Sequence, residues 1–197
     1  MPGLVSLPTL RAHLASRSGF VAAEGGGRRA AVALVLLPRD ETLDILLIRR
    51  AERAGDLWSG HMALPGGRQE PEDATLADTA IRETLEEVGL DLRAEGEQLG
   101  RLDDLPATGR GKAVGMVVSP WVFAVEREPR LTLNDEVDEA IWAPLAAMLD
   151  GSTDTTIDYR HDGHDLTLPG YLVGERVVWG MTHRMLGFLF DAIRAST

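Results

Sequence analysis

Three glutamates near the middle of the chain are spaced so that a helix would bring them together. Glu83, Glu86 and Glu87 fall within one arc at about 100° per residue. Like charges four residues apart destabilise an isolated helix by roughly 0.2–0.5 kcal/mol, so something should offset the repulsion. A hard divalent cation would do so, and Arg82 could orient one carboxylate by a two-pronged hydrogen bond. A solvated acidic face is the alternative, although the preceding Gly-rich turn at 65–67 would let the backbone approach a metal or ligand closely.

The spacing of apolar residues predicts the helix that would carry these carboxylates. Leu76, Ala80, Thr84 and Val88 recur every four residues, and we place the helix at residues 73–89. Two paired strands are predicted at 30–37 and 43–48, further strands at 113–125, 140–142 and 171–178, a loop at 49–60, and helices at 6–16, 144–149 and 181–194. Because strands and helices are mixed, we expect an α/β or α+β fold.

Length, charge and cysteine content restrict the class of protein. The 197 residues favour a single domain, which we place at 28–197 after an N-terminal helix and Gly-rich link at 1–27. A net charge of −11 argues against a nucleic-acid binder. The absence of cysteine excludes disulfides, thiolate zinc sites and a cysteine nucleophile. Neither a membrane-spanning apolar run nor a signal-peptide pattern is visible, so we expect no membrane association and a cytoplasmic location.

The stretch GGRQEPEDATLADTAIRETLEEVGL resembles the Nudix box. That motif is a Gly, five residues, a Glu, seven residues, and then Arg-Glu-aliphatic-any-Glu-Glu-any-Gly-aliphatic. Thr84 stands where an aliphatic residue is usual, Asp73 replaces the first Glu, and the gap from Asp73 to Arg82 is one residue longer. Asp73 could therefore serve only as a helix cap. The matching residues are Arg82, Glu83, Glu86, Glu87, Gly89 and Leu90.

The resemblance to Nudix hydrolases implies a fold, a cofactor and a reaction. The implied fold is an α/β/α sandwich with a mixed β-sheet. The implied cofactor is Mg²⁺, with Mn²⁺ as an alternative, held by Glu83, Glu86, Glu87 and the Gly67 carbonyl. The implied reaction is hydrolysis of a phosphoanhydride bond in a small nucleoside diphosphate derivative. Such chemistry is coherent, because metal ions neutralise diphosphate oxygens and orient a water nucleophile. A homodimer is left open.

Two further stretches resemble the coenzyme A pyrophosphatase branch of that family. They are LLIRRAERAGDLWSGHMALPGG and VVWGMTHRML. The resemblance implies that coenzyme A or its acyl derivatives are cleaved to 3′,5′-ADP and (acyl-)4′-phosphopantetheine. Arg49, Arg50 and Arg53 could hold the substrate phosphates, since guanidinium forks fit them well, and exposed arginines at the end of a strand are the alternative. Gly66 and Gly67 are the other candidates for substrate binding. The branch's second arginine is expected near position 56, and the nearest arginine here is Arg53. That departure favours an alternative substrate: ADP-ribose, a dinucleotide or an oxidised nucleotide.

An acidic segment at 134–139 is the other candidate for chemistry. Similar segments in the family supply an extra metal ligand or a base, which makes Glu136 and Glu139 candidates, with Glu136 the first choice. A solvated loop is the alternative. Trp58 and His61 each have a structural alternative to ligand contact, and Trp179 is expected in the core. A third hypothesis, a non-catalytic sensor on the same fold, is disfavoured by the intact box carboxylates.

Overall fold

Strand β1 (Arg28–Arg39) is buried on both faces, which explains why its sequence is a continuous apolar run. Alternate side chains enter two separate clusters. Leu34 and Leu36 pack into one, whereas Val35 and Leu37 pack into the other. The two clusters lie on opposite sides of the central sheet, and helices cover both sides. The structure is a computed structural model that describes residues 6–17, 19–22, 27–40, 42–53, 55, 58–109, 112–161 and 164–196.

The central sheet is mixed. Its β1 pairs antiparallel with β2 (Thr42–Arg50) and parallel with β7 (Lys112–Val125). The other strands of this sheet are β3 Met62–Ala63, β4 Gly66–Arg68, β5 Gly96–Arg101, β6 Leu105–Gly109 and β8 Val137–Pro144. The main strand order is β3-β2-β1-β7-β5; in addition, β4 pairs with β1, β6 with β7 and β8 with β2.

The helices divide between the two faces of this sheet. Helix α2 (Leu76–Val88) packs on one face, while α1 (Leu7–Ser16), α3 (Leu145–Leu149) and α4 (Gly180–Ala195) pack on the other. The expected α/β/α sandwich with a mixed sheet is thus confirmed. Among the described residues, none of the helices is both long enough and apolar enough to cross a bilayer.

A small antiparallel sheet lies beside α4. It consists of β9 (Asp154–His161), β10 (His164–Val173) and β11 (Arg176–Trp179). The strand predicted at 171–178 lies in this sheet as parts of two strands, because Gly174 and Glu175 form a hairpin turn between β10 and β11. Gly174 has φ 58, a conformation typical of glycine in tight hairpins.

Four other boundaries differ from the prediction. Helix α2 starts at Leu76, because Thr75 caps it and forms a reciprocal capping box with Asp78. The predicted turn at 65–67 is partly strand, since β4 pairs with β1. The predicted strand at 140–142 is longer, and β2 extends through Arg50 into the predicted loop.

The N-terminal helix shares the main core. Leu10 and Leu14 are buried in the same cluster as residues of α4. Part of the Gly-rich link, Gly25 and Gly26, lies outside the described residues. The division of the chain after residue 27 stays a prediction.

Candidate active site

Helix α2 places two of the three glutamates against the backbone of β4. Glu87 is only 2% exposed, and its Oε2 accepts a hydrogen bond from the backbone N–H of Gly66 at 2.9 Å. Gly67 lies against the carboxylate of Glu83 so closely that an added Cβ would collide with it. Gly66 is equally constrained, because a Cβ there would meet β1. The two glycines therefore let the backbone cover both carboxylates.

Burial makes these two carboxylates reluctant to ionise. It raises the pKa of Glu87 to about 7, with the neighbouring charge of Glu83 adding to the effect and the Gly66 N–H and Arg50 opposing it. Burial also raises the pKa of Glu83. A cation between them would stabilise the ionised forms, since an opposite charge favours a carboxylate.

Arg82 links the box carboxylates to Asp73. Its guanidinium makes a two-pronged ion pair with Asp73, Nε to Oδ1 at 3.0 Å and Nη2 to Oδ2 at 2.9 Å. Its Nη1 donates to Glu83 Oε1 at 3.0 Å and to Glu86 Oε2 at 3.2 Å. These hydrogen bonds from Arg82 hold the pKa of Asp73 at about 2. Asp73 is therefore not the helix cap that the longer gap suggested; it orients the arginine that touches Glu83.

We expect Asp73→Asn to lower both stability and activity. The change keeps the shape of the side chain but removes the charge of a largely buried ion pair, which should cost about 1–3 kcal/mol of unfolding free energy. Activity should fall about tenfold if Arg82 loosens its hold on Glu83. Urea unfolding and steady-state kinetics measure the two effects. The control is Asp73→Glu, which keeps the charge and should retain most of both; equal losses in the two variants would contradict an orienting role for the charge.

A cavity of about 790 Å³ opens beside these carboxylates. Of the predicted site residues, it brings together Arg50, Arg53, Gly66, Gly67, Glu83, Glu87 and Glu136. Trp58 and His61 also line it. Arg82 stands behind Glu83, while Glu86, whose side chain is 54% exposed, does not line the cavity.

The acidic segment and the arginines meet at the mouth of this cavity. Arg53 Nη1 donates to Glu136 Oε1 at 2.9 Å and Nη2 to Asp135 Oδ2 at 3.2 Å. Arg49 instead pairs with Asp138 and Glu52 and does not line the cavity. The structure therefore offers Arg50 and Arg53, but not Arg49, to a ligand there.

Glu139, the other candidate from the acidic segment, lies elsewhere. It pairs with Arg176 at 3.3 Å and borders a different, smaller cleft. Glu136, in contrast, lines the main cavity, and its charge adds to the pKa elevation of Glu83 and Glu87. Of the two, only Glu136 is placed to act at the carboxylate site.

The C-terminal motif forms part of the cavity instead of the core. Trp179 is half-buried, and its ring lies 4.7 Å from that of His61 and 5.0 Å from that of Tyr159 between centroids. Thr182 is buried and donates from its hydroxyl to the Met62 carbonyl at 3.1 Å, which fixes the start of α4 to β3. The expectation of a core position for Trp179 was wrong, because its ring packs on the aromatic wall of the cavity.

Several lining residues were not predicted from the sequence. Arg68 directly follows Gly67 in the box, so its position could have identified it. Its carbonyl accepts from Arg82 at 2.9 Å. The others come from distant segments and carry no local signal; they are Met116, Tyr159, Leu166 and Leu168.

The donor set fits a hard divalent cation completed by water and substrate. Within the described parts of the chain, no three Asp, Glu or His side chains form a ready-made cage. Mg²⁺ does not need one, because it is usually held by one or two carboxylates together with waters and substrate phosphates. Glu83 and Glu87 supply two carboxylates, and the absent Cβ of Gly67 leaves room beside them. The roles of Glu86 and the Gly67 carbonyl as ligands stay predictions.

The raised pKa of Glu87 predicts how the stability of the metal-free protein depends on pH. Its native pKa of about 7 lies above the ordinary 4.5, so the folded state retains a proton that the unfolded state loses. The stabilisation is complete below pH 4.5 and is lost as the pH rises through 7. Urea unfolding in chelator should therefore show a decline across this window that is reduced in Glu87→Gln. An unchanged slope in that variant would contradict the prediction.

Comparisons with known proteins agree with this geometry. A model of the NUDIX domain matches residues 27–161. The human mitochondrial coenzyme A diphosphatase NUDT8 is 31% identical over 173 residues, which cover 86% of this chain and 72% of that protein. An uncharacterized protein of Schizosaccharomyces pombe is 46% identical over 108 residues, 53% of this chain, and the match covers only 33% of that longer protein.

Solved structures share the fold. A MutT/nudix family protein from Enterococcus faecalis superposes with a TM-score of 0.55 at 18% identity, covering 96% of this chain and 69% of that one. The NUDIX domain of Shewanella oneidensis NrtR, solved with ADP ribose, gives 0.53 at 19% identity, covering 93% and 96%. Members of the Nudix hydrolase family generally use divalent metals and act on nucleoside diphosphate derivatives. With a family model matched over most of its length and Glu83 and Glu87 of the box at one cavity, this chain belongs to the Nudix hydrolase family and is a pyrophosphatase.

Proposed function

We propose that the protein hydrolyses the diphosphate bond of coenzyme A or acyl-coenzyme A with Mg²⁺, for which Mn²⁺ can substitute. The products are 3′,5′-ADP and (acyl-)4′-phosphopantetheine. The observation that carries the proposal is the single cavity that joins Glu83 and Glu87 to Arg50 and Arg53 on one side and to the Trp179 motif on the other. The relationship to a named coenzyme A diphosphatase across most of the chain supports the same substrate.

The carboxylates at one end of the cavity would bind the metal ion, and neighbouring groups fix their positions. Glu83, Glu87, the more exposed Glu86 and the Gly67 carbonyl would hold the cation. When bound, a divalent cation neutralises diphosphate oxygens and lowers the pKa of a coordinated water. Arg82 fixes the Glu83 carboxylate, and the Gly66 N–H fixes that of Glu87.

Glu136 is the proposed acceptor of the proton from the attacking water. It lines the cavity, and Arg53 holds one of its oxygens at 2.9 Å. A positioned carboxylate of this kind contributes typically about 10²–10⁴-fold as a general base. Arg50 and Arg53 supply charge for substrate phosphates, to which guanidinium groups bind in a forked geometry.

The test is a substrate panel with product identification. Purified protein with Mg²⁺ should convert coenzyme A to 3′,5′-ADP and 4′-phosphopantetheine, identified by mass, at a rate that rises with pH and disappears in excess chelator. ADP-ribose, dinucleotides and oxidised nucleotides serve as competing substrates. Faster cleavage of any of these than of coenzyme A would overturn the substrate assignment, and full turnover in chelator would overturn the metal requirement.

A further inference from the structure

The main cavity has two chemically different walls. One comes from α2, β2 and the residues after it, β4 and the acidic segment. It carries all the charged lining residues, Arg50, Arg53, Arg68, Glu83, Glu87 and Glu136. The other comes from the small sheet and α4, and we call it the apolar wall. Within the described residues it contributes no Asp, Glu, Lys or Arg to the cavity. Its members are Tyr159, Leu166, Leu168, Trp179, Met181 and Met185.

A row of alternate residues on β10 leads from the rim of the cavity inward. Leu166 is 41% exposed, Leu168 is half-buried and Gly170 is buried. Tyr159 is the direct cross-strand partner of Leu166 and also lines the cavity. An exposed leucine alone means little, but here the row continues the apolar surface of an enclosed site outward to solvent.

The apolar wall restricts what can lie beyond the diphosphate. A ribose or second nucleotide placed there would bring several hydroxyls against leucine and methionine side chains, since only Tyr159 and Trp179 of this wall carry a polar group. A polar group buried without a hydrogen-bond partner is costly. An alkyl chain loses nothing there and gains by leaving water. The charge distribution of the cavity thus matches a substrate with a diphosphate at one end and an apolar group at the other.

We propose that the apolar wall is the specificity determinant for the arm beyond the diphosphate, and that Leu166 at its rim selects substrates carrying an apolar acyl chain. The inference rests on the proposed function. It predicts that the enzyme cleaves acyl thioesters of coenzyme A in preference to free coenzyme A. Free coenzyme A shares the diphosphate and nucleotide contacts but leaves the rim of the wall uncovered.

The test compares kcat/KM for coenzyme A and its acetyl, butanoyl and octanoyl thioesters. We expect the octanoyl compound to exceed coenzyme A by about tenfold or more, since each methylene placed in an apolar site adds several-fold. Leu166→Ser should reduce this ratio by about tenfold, since it replaces apolar surface that the acyl chain would cover with a polar hydroxyl.

Leu172→Ser is the matched control. Leu172 lies on the same strand with 46% exposure but does not line the cavity, so its replacement should leave the ratio intact. Thermal unfolding of both variants verifies the fold. A wild-type ratio near one, or equal ratios in wild type and Leu166→Ser, overturns the inference while cleavage of coenzyme A upholds the proposed function. Cleavage of ADP-ribose but of no coenzyme A compound overturns both.

Discussion

Glu87→Gln and Glu83→Gln should each lower kcat by about a thousandfold, equivalent to about 4 kcal/mol of activation free energy. Both carboxylates face the cavity, and their burial leaves few water molecules to replace the lost charge. An amide keeps an oxygen that can accept the Gly66 N–H, so the fold should survive. The loss should appear in kcat with a weaker apparent affinity for Mg²⁺, measured by titrating the metal at saturating substrate.

The stability of these variants separates a metal ligand from a structural carboxylate. In chelator near pH 8, Glu87→Gln should unfold at the same or a higher urea concentration than wild type, because it removes a buried charge. Added Mg²⁺ should raise the unfolding temperature of wild type but much less that of either variant, since a ligand stabilises only the state that binds it.

Glu139→Gln is the matched control for both replacements. Glu139 belongs to the neighbouring acidic segment, but it pairs with Arg176 away from the cavity. Its replacement should change kcat by less than about threefold, as expected for an exposed ion pair. A loss smaller than tenfold at both Glu83 and Glu87 would place the metal site elsewhere in the chain.

Helix α2 could be predicted from the sequence because its signals are local. Its four-residue apolar repeat, its Arg82 and its terminal Gly89 lie within one segment. Thr84, which stands where the Nudix box usually has an aliphatic residue, is accommodated within the same helix, because its buried hydroxyl donates to the Ala80 carbonyl at 2.7 Å. The start of α2 at Leu76 was not predicted, although its signal is also local. Thr75 and Asp78 form a reciprocal capping box that has Asp where Glu or Gln is usual.

The site's composition depends on pairings between distant segments, which no local pattern specifies. Adjacent residues on a strand point to opposite faces, so Arg49 and Arg50 cannot both enter the cavity. Which one does is set by the pairing of β2 with β8, whose register shifts at this point. The apolar wall depends on the hydrogen bond from Thr182 to Met62, which joins segments 120 residues apart.

The sequence of β9 carries only a weak strand pattern. Its residues alternate between exposed and half-buried, yet the exposed ones are polar and only Ile157 and Tyr159 are large and apolar on the other face. The segment predicted as strand at 171–178 falls in two strands, because Gly174 and Glu175 form the turn between β10 and β11. The sequence pattern therefore did not identify the small sheet that contributes to the cavity.

Coenzyme A should be cleaved with a higher kcat/KM than ADP-ribose, and Arg53 should contribute to the difference. Coenzyme A carries a 3′-phosphate that ADP-ribose lacks, and a charge-assisted hydrogen bond to it is worth roughly 1.5–3 kcal/mol, or about ten- to a hundredfold. Arg50 and Arg53 line the cavity, but Arg53 is the more exposed candidate, with 45% of its side chain accessible. It can turn from its carboxylate partners to a phosphate with little rearrangement.

The effect of replacing Arg53 must be measured on two substrates, because Arg53 also forms a hydrogen bond with Glu136. Arg53→Ala should weaken every substrate by loosening that carboxylate. If Arg53 also contacts the 3′-phosphate, kcat/KM for coenzyme A should fall about tenfold further than that for 3′-dephospho-coenzyme A. Arg49→Ala is the control, since Arg49 lies outside the cavity and should lower the two values equally and slightly.

The ratio of the two losses decides between two roles of Arg53. Equal losses on coenzyme A and its 3′-dephospho form would assign Arg53 to the diphosphate or to Glu136 alone, and would leave Arg50 as the remaining lining arginine from the predicted cluster. A larger loss on coenzyme A would mean that one guanidinium serves both the substrate and the proposed base.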